Sequence, residues 1–239
     1  MSTEQTKRNS RRKARARQRL INRILGIAVA VLLVAVIVWL VILQIGKTPI
    51  TGTNPTAIPT RGGPTPALVG TKQYASAPPI VIDVTKIYFA TFTMDKGGEF
   101  VIQLYPDKAP ITVNSFVFLA EQGYFDGVTF HRVIGGFMAQ GGDPTGTGSG
   151  GPGYQFVNET NDLAFDKAGV VAMANSGPNT NGSQFFITFG ATSLSESDFT
   201  IFGQVTSGME VVNAITLRDP TKAPSFTGDV IKTVSITEK

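Results

Sequence analysis

Residues 24–45 form an uninterrupted apolar run without a single charged side chain, and this run constrains how the rest of the chain can be organised. At about 1.5 Å per residue, a helix of this length spans about 33 Å, which is enough to cross the hydrocarbon core of a bilayer. We therefore expect a transmembrane helix over residues 24–45. The alternative is a cleaved signal peptide, but its apolar core is usually only about 7 to 15 residues long and precedes a small-residue cleavage site.

The charge distribution predicts an orientation for this span. Residues 1–23 contain nine of the 21 Lys and Arg residues and one acidic residue, Glu4. A basic flank of this kind predicts a cytoplasmic N-terminus, with everything after the span on the other side of the cell membrane. The basic run at residues 11–19 could instead bind nucleic acid or anionic lipid, although a solvated flank that orients the helix explains it without a further partner.

Two regions follow the predicted span. Residues 46–79 hold seven of the 14 Pro residues together with Thr, Gly and Ala, and they lack apolar periodicity, so we expect a disordered linker. We expect residues 80–239 to form one folded domain, and we expect that domain to be monomeric. The chain beyond residue 23 has 12 basic and 16 acidic residues, and this acidic balance argues against nucleic-acid binding by the domain.

The pattern of residues 80–239 favours an all-β barrel with two helices over a βαβ sheet. One helix is predicted to start at Thr112 as N-cap and to stop at Gly123, and a second is predicted over residues 209–216. Short runs of strand-forming residues occupy the remaining positions. The predicted strands lie within residues 86–94, 99–105, 169–174, 183–189, 199–205 and 229–237.

The reactive side chains exclude several kinds of chemistry. The chain has no Cys and one His, His131, which excludes zinc clusters, thiol catalysis, disulfides and any multi-His metal site. We therefore expect no metal and no cofactor. His131 itself is expected to be a strand residue bonded to the backbone, and a role as general base is the less favoured interpretation.

Two short motifs in the domain carry little functional information. Gly146, Gly148 and Gly151 match the dinucleotide-binding pattern, but they follow Gly-Gly-Asp-Pro and run into Pro-Gly, whereas a true fingerprint follows a strand and opens a helix. Asn158 and Asn181 each begin a glycosylation sequon, a pattern that is common by chance. Neither motif supports a function.

Two longer segments carry a much more specific signal. Residues 130–154 read FHRVIGGFMAQGGDPTGTGSGGPGY, and residues 173–189 read MANSGPNTNGSQFFITF. Together they resemble the signature of the cyclophilins, and the resemblance extends over about residues 83–238. It implies a closed eight-stranded antiparallel barrel capped by two helices, and peptidyl-prolyl cis-trans isomerase activity on proline-containing segments of client proteins. The loop at residues 146–154 looks more like the bacterial members than the eukaryotic ones.

The resemblance also implies a set of site residues. Arg132 is the expected donor to the prolyl nitrogen, and Gln140 is expected to orient Arg132 or bond the substrate. The remaining residues are expected to line the proline socket or bind the flanking peptide. They are Phe137, Met138, Ala174, Asn175, Ser176, Gln184, Phe186, Leu194 and Phe199.

The lid over the socket departs from the family pattern. Many relatives carry Trp and His in this lid, and an ungapped count from Gln184 places Leu194 at the Trp and Phe199 at the His. Both polar groups are therefore absent here. The leading interpretation is a membrane-anchored isomerase that assists the folding of exported proteins. A peptide-binding scaffold without enzymatic activity is the alternative, because fold alone does not separate the two.

Overall fold

The computed structural model describes residues 68–239. The predicted basic tail, the predicted membrane span at residues 24–45 and most of the predicted linker lie outside this part of the chain. No helix within residues 68–239 is both long enough and apolar enough to cross a membrane.

Most of the described chain is β-sheet, with helices at two places. The strands are β1 (Leu68–Gly70), β2 (Gln73–Tyr74), β3 (Tyr88–Met94), β4 (Glu99–Leu104), β5 (Thr129–Phe130), β6 (Arg132–Ile134), β7 (Met138–Gly141), β8 (Val170–Met173), β9 (Phe185–Thr188), β10 (Ile201–Ser207) and β11 (Asp229–Glu238). The helices are α1 (Pro110–Glu121) and α2 (Met209–Asn213), and a 3-10 turn covers Pro220–Lys222. The all-β architecture with two α-helices is thus confirmed.

Nine strands pair antiparallel in the order β5-β11-β3-β4-β10-β8-β9-β7-β6, and the two ends of this sheet are consecutive in the chain. β5 pairs with β11, β6 pairs with β7, and only His131 separates β5 from β6. The segment from β5 to β6 therefore brings the two edges of the sheet together into a nearly closed barrel. The expected count of eight strands is wrong by one, because the strand that joins the edges is interrupted at His131.

Residue alternation explains how the barrel is filled. In β3 the buried positions are every second residue, and the same alternation in β4 buries Phe100, Ile102 and Leu104. The core is rich in phenylalanine: the rings of Phe92 and Phe100 stack with centroids 4.7 Å apart. Phe185 packs its ring within 6.0 Å of four other rings, which belong to Phe92, Phe116, Phe125 and Phe130.

Helix α1 starts three residues earlier than Thr112 as N-cap predicts. Its N-cap is Ala109, which provides no side-chain cap, and Pro110 occupies the first turn. The Glu159 carboxylate from a distant loop replaces a local cap, since it accepts hydrogen bonds from the Ile111 and Thr112 amides at 2.9 and 2.8 Å and from the Thr112 hydroxyl at 2.7 Å. The expected stop at Gly123 is confirmed, with φ of 64° just after the helix.

Residues 68–79, which we call the N-terminal strap, are packed against the barrel although their composition predicted part of a disordered linker. β1 and β2 form a small hairpin, the Tyr74 side chain is buried, and its ring lies 5.0 Å from that of Phe118 in an edge-on contact. Asn114 of α1 holds the end of the strap by donating to the Pro79 carbonyl at 3.0 Å. The proline and glycine content predicted that ordered structure starts at residue 80, whereas the strap is already packed against the barrel.

The carboxylate of Glu159 gives a stability prediction. Replacing Glu159 by Ala leaves two amides at the start of α1 without their acceptor and removes a negative charge from the positive end of the helix dipole. We expect the free energy of unfolding to fall by about 1 to 2 kcal/mol. Glu121→Ala, at the exposed end of the same helix, serves as the matched control and should change it by less than about 0.5 kcal/mol. Urea unfolding followed by circular dichroism measures both, and equal effects would show that Glu159 does not cap the helix.

Candidate active site

The candidate site lies on the outer face of the barrel where β6, β7, β9 and β8 are neighbours. The pairing register places Arg132 opposite Gln140, Gln140 opposite Phe186, and Phe186 opposite Ala172. These four residues form one row across four strands, and their side chains share the outer face. Phe185, the neighbour of Phe186, points inward to the aromatic core.

An apolar pocket of about 200 Å³ opens on this face. Its floor includes the buried side chains of Met138 and Phe186, and the Phe186 ring stacks on Phe165 with centroids 5.8 Å apart. Phe199 meets Phe186 edge-on at 5.6 Å. Nine of the eleven predicted site residues line the pocket: Arg132, Phe137, Met138, Gln140, Ala174, Asn175, Phe186, Leu194 and Phe199.

Arg132 lies at the rim of the pocket, half-buried, and a chain of amides holds its guanidinium in place. Its Nη1 donates to Gln140 Oε1 at 3.4 Å and approaches Met138 Sδ at 3.8 Å. Gln140 Nε2 in turn donates to Gln184 Oε1 at 3.0 Å. The guanidinium carbon also lies 5.9 Å from the centre of the Phe137 ring.

No carboxylate forms an ion pair with Arg132 anywhere in residues 68–239. A guanidinium has five N–H donors and keeps its charge at any working pH. Since neutral amide and thioether groups occupy only part of this capacity, Arg132 retains charged donors that can reach a ligand in the pocket.

The lid that carries Leu194 and Phe199 is tied down through its main chain. The Asp198 carbonyl accepts hydrogen bonds from Asn175 Nδ2 at 2.8 Å and from Asn158 Nδ2 at 3.0 Å. Asn175 was expected to line the proline socket or bind the flanking peptide, and its side chain additionally holds the lid. Both Leu194 and Phe199 face the pocket, as the ungapped placement of the lid requires.

A second, more polar groove of about 550 Å³ adjoins the pocket, and the two remaining predicted residues, Ser176 and Gln184, line it. The pocket and the groove share Gln140, Ala174 and Asn175 as a common wall. The pocket and the groove therefore form one continuous surface.

His131 is buried at the break between β5 and β6 and lines neither the pocket nor the groove. Neither of its ring nitrogens makes a hydrogen bond of normal geometry, although the Thr129 backbone lies close enough to act on its pKa. Burial lowers the pKa of His131, which favours the neutral ring. A general base at this position would have no access to a substrate.

Two polar residues that were not among the predicted site residues support the site. Arg218 exchanges backbone hydrogen bonds with Val133 at 2.7 and 2.9 Å, and its Nη1 donates to the His131 carbonyl, so it fixes the backbone on both sides of Arg132. Asp143 accepts from the Gly148 amide at 2.6 Å and the Gly150 amide at 3.1 Å. The contacts of Arg218 join residues distant in sequence, which a local pattern does not reveal, whereas Asp143 binds amides five and seven residues further along the chain.

The glycine-rich stretch at residues 146–151 is a loop folded around the Asp143 carboxylate. Burial alone would raise the pKa of Asp143, but hydrogen bonds from Thr145, Gly150 and Gly148 lower it. Gln184 Nε2 donates to the Gly148 and Gly150 carbonyls at 3.0 and 2.9 Å, so the loop also anchors the amide chain that leads to Arg132. The described part of the chain has no cluster of three His, Cys, Asp or Glu residues that could hold a metal ion.

Comparison with known proteins is consistent with this geometry. The family model for cyclophilin type peptidyl-prolyl cis-trans isomerase/CLD matches residues 89–238. Peptidyl-prolyl cis-trans isomerase-like 1 of Rhizopus delemar is 53% identical over 124 residues, which cover 50% of this chain and 75% of the relative. The protein of the same name from Mus musculus is 46% identical over 145 residues, covering 59% and 85%.

A solved structure shows the same relationship. The crystal structure of a cyclophilin type peptidyl-prolyl cis-trans isomerase from Cryptosporidium parvum has a TM-score of 0.58 and 32% identity. It covers 64% of this chain and 99% of the parasite protein. These relatives are eukaryotic, which does not support the expected likeness to bacterial members. The match over residues 89–238, together with the barrel and its apolar pocket, shows that this chain belongs to the cyclophilin family and carries its peptidyl-prolyl cis-trans isomerase domain.

Proposed function

We propose that this chain accelerates rotation about Xaa-Pro bonds in proline-containing segments of exported client proteins, with Arg132 as the donor to the prolyl nitrogen. No covalent intermediate is needed, because the reaction makes and breaks no bond between heavy atoms. The observation that carries the proposal is a half-buried guanidinium at the rim of a proline-sized apolar pocket, with no carboxylate of residues 68–239 paired to it.

Catalysis of this rotation requires a donor to the prolyl nitrogen, a pocket that holds the proline ring and an anchor for the flanking peptide. Rotation about a peptide bond has a barrier of about 18 to 20 kcal/mol because the C–N bond has partial double-bond character. As the bond twists, its nitrogen becomes pyramidal and gains a lone pair. A donor aimed at that lone pair stabilises the transition state more than the ground state, provided that the ring is held in place and the flanking peptide is anchored.

Residues of this chain can supply each part. Met138, Phe186 and Phe199 surround the space for the pyrrolidine ring. Arg132 supplies the charged donor, and Gln140 is a positioning residue because its amide accepts from Arg132 and donates to Gln184. The exposed backbone and side chains of the adjoining groove remain available to hold the peptide on one side of the rotating bond.

The role of Arg132 is tested by substitution in the full chain. Removing a charged donor costs about 1.5 to 3 kcal/mol, or somewhat more in a shielded pocket, so Arg132→Ala should lower kcat about ten- to a few hundredfold and weaken peptide affinity much less. Arg132→Lys should restore little of the lost kcat, since one ammonium group does not reproduce the planar arrangement of N–H donors in a guanidinium. A protease-free exchange assay on a short Xaa-Pro peptide measures the rate, and circular dichroism checks the fold.

His131→Ala is the neighbouring control, because this buried ring does not reach the pocket. Its rate should stay within a few-fold of the wild type. Loss of turnover in His131→Ala together with full activity in Arg132→Ala would replace this mechanism by general acid-base catalysis. A wild-type chain that binds Xaa-Pro peptides without accelerating their isomerisation would instead support a non-enzymatic peptide-binding module.

Leu194 gives a prediction about ligand binding at the lid. In many relatives an indole occupies this position and can donate a hydrogen bond to a ligand carbonyl. One neutral hydrogen bond and some stacking area are worth about 1 to 3 kcal/mol, so cyclosporin-type macrocycles should bind this chain more weakly than they bind those relatives. Leu194→Trp should strengthen binding in isothermal titration calorimetry. Leu217→Trp, an exposed site outside the pocket, should not. Tight binding by the wild type with no gain in Leu194→Trp would contradict this placement of the lid.

The location of the clients follows from the predicted membrane span and its basic flank. We propose that residues 24–45 anchor the chain in the cell membrane, with the N-terminus in the cytoplasm and residues 80–239 outside it. Protease added to intact cells, after any outer layer has been permeabilised, should remove the barrel domain and leave a short membrane-bound fragment. Protection of the domain under these conditions would overturn the orientation.

A further inference from the structure

The N-terminal strap reaches the substrate side of the barrel although it precedes the residues matched by the family model, which begin at residue 89. The Tyr74 amide donates to the Pro152 carbonyl at 2.7 Å, in the glycine-rich loop. At the turn between β1 and β2, Lys72 Nζ donates to the Tyr124 carbonyl at 2.8 Å and to the Asp126 carbonyl. Backbone and side-chain contacts thus hold the strap in one position.

Gly153 makes the close approach of the strap possible. Its φ is 91°, and a Cβ atom placed on it would lie 2.6 Å from the Tyr74 carbonyl oxygen and 3.0 Å from the Tyr74 nitrogen. Real Cβ atoms do not come that close to backbone atoms, so a larger residue at position 153 would push the strap away. The loop and the strap therefore fit each other closely at the rim of the groove.

Gln73 is the strap residue that lines the polar groove beside the proline pocket. Because the groove and the pocket share Gln140, Ala174 and Asn175, a peptide with its proline in the pocket places a residue within a few positions of that proline near Gln73. Gln73 is exposed, and its side chain makes no hydrogen bond to any residue from 68 to 239. Its carboxamide is free to donate to a ligand and to accept from it.

The groove has a consistent chemical character. None of the residues that line it carries a charge; they are glycines, amides, hydroxyl-bearing residues, one proline and one alanine. An ionised side chain entering it would lose part of its hydration without meeting an opposite charge, whereas a neutral polar side chain would find donors and acceptors. Gln140 and Gln184 already bond each other, and Asn175 bonds the Asp198 carbonyl. Among the groove residues between 68 and 239, this leaves Gln73 and Gln155 as amides without a side-chain hydrogen bond, and Gln73 is the one that the strap contributes.

We propose that Gln73 is a specificity-determining residue, which selects clients with an uncharged hydrogen-bonding side chain, such as Gln, Asn, Ser or Thr, close to the isomerised proline. This inference rests on the proposed function, since it assigns part of the substrate preference of the same site. It extends the substrate-binding surface beyond the family domain to a segment that precedes it.

The test uses the full chain in detergent and two peptide series that differ in a single residue. This residue is Gln, Ala, Glu or Lys, two positions before the proline in one series and two positions after it in the other. In one of the series, kcat/KM for the Gln peptide should exceed that for the Ala and Glu peptides by about 3- to 10-fold, the value of one neutral hydrogen bond. Gln73→Ala should remove this preference, because KM for the Gln peptide rises while kcat for the same peptide is retained.

Two further variants separate recognition by Gln73 from a structural role. Gln73→Glu should shift the preference toward the Lys peptide, which a merely structural residue would not do. Gln122→Ala, an exposed glutamine after α1 that lines neither the pocket nor the groove, should keep the wild-type ratio. A ratio that is unchanged in Gln73→Ala, or an equal loss for all peptides, overturns the inference.

The same peptides distinguish failure of this inference from failure of the proposed function. If the wild type isomerises the peptides and Gln73→Ala has no effect on their ranking, the isomerase stands and the role of Gln73 is wrong. If no peptide is isomerised, fluorescence anisotropy of labelled peptides replaces the rate measurement. A preference for the Gln peptide that depends on Gln73 then supports the inference without enzymatic activity, and its absence overturns it.

Discussion

Closure of the barrel depends on one short segment that pairs on both sides. β5 takes β11 as its partner and β6 takes β7, so residues 129–134 join the two edges of the sheet. This seam also contains Arg132, and Arg218 fixes the backbone around it through Val133 and His131. The residue proposed to act on the substrate is therefore placed by the same pairing that closes the fold, and the register on β7 and β9 places Met138, Gln140 and Phe186 beside it.

Strand alternation separates the stabilising and functional roles of adjacent residues. Phe185 packs among four aromatic rings inside the barrel, while Phe186 faces the pocket and stacks on Phe165. A shift of one residue in the register of β9 would exchange these two environments. The density of aromatic contacts around Phe185 makes such a shift costly. The core thus contributes to fixing the geometry of the pocket wall.

The sequence predicted the parts that depend on local pattern and motif. Strand-forming patterns located six of the barrel strands but not β5, β6 and β7, and the family signature named Arg132 and the residues that the structure gathers around one pocket and its adjoining groove. Parts that depend on distant partners were missed. The start of α1 is set by Glu159, about fifty residues away, and the strap is ordered because Tyr74 packs on Phe118. The break at His131 likewise follows from two different partner strands, which a single strand pattern does not contain.

The attachment of the lid has a consequence for how this site can diversify. Asn158 and Asn175 both bind the Asp198 main-chain carbonyl, an atom that every amino acid possesses. These two anchors of the lid therefore do not depend on which side chain stands at position 198. Substitutions at Leu194 and Phe199 can change what the pocket accepts while the loop conformation is retained. Evolution can thus alter ligand preference one residue at a time, without first having to rebuild the scaffold that presents those residues.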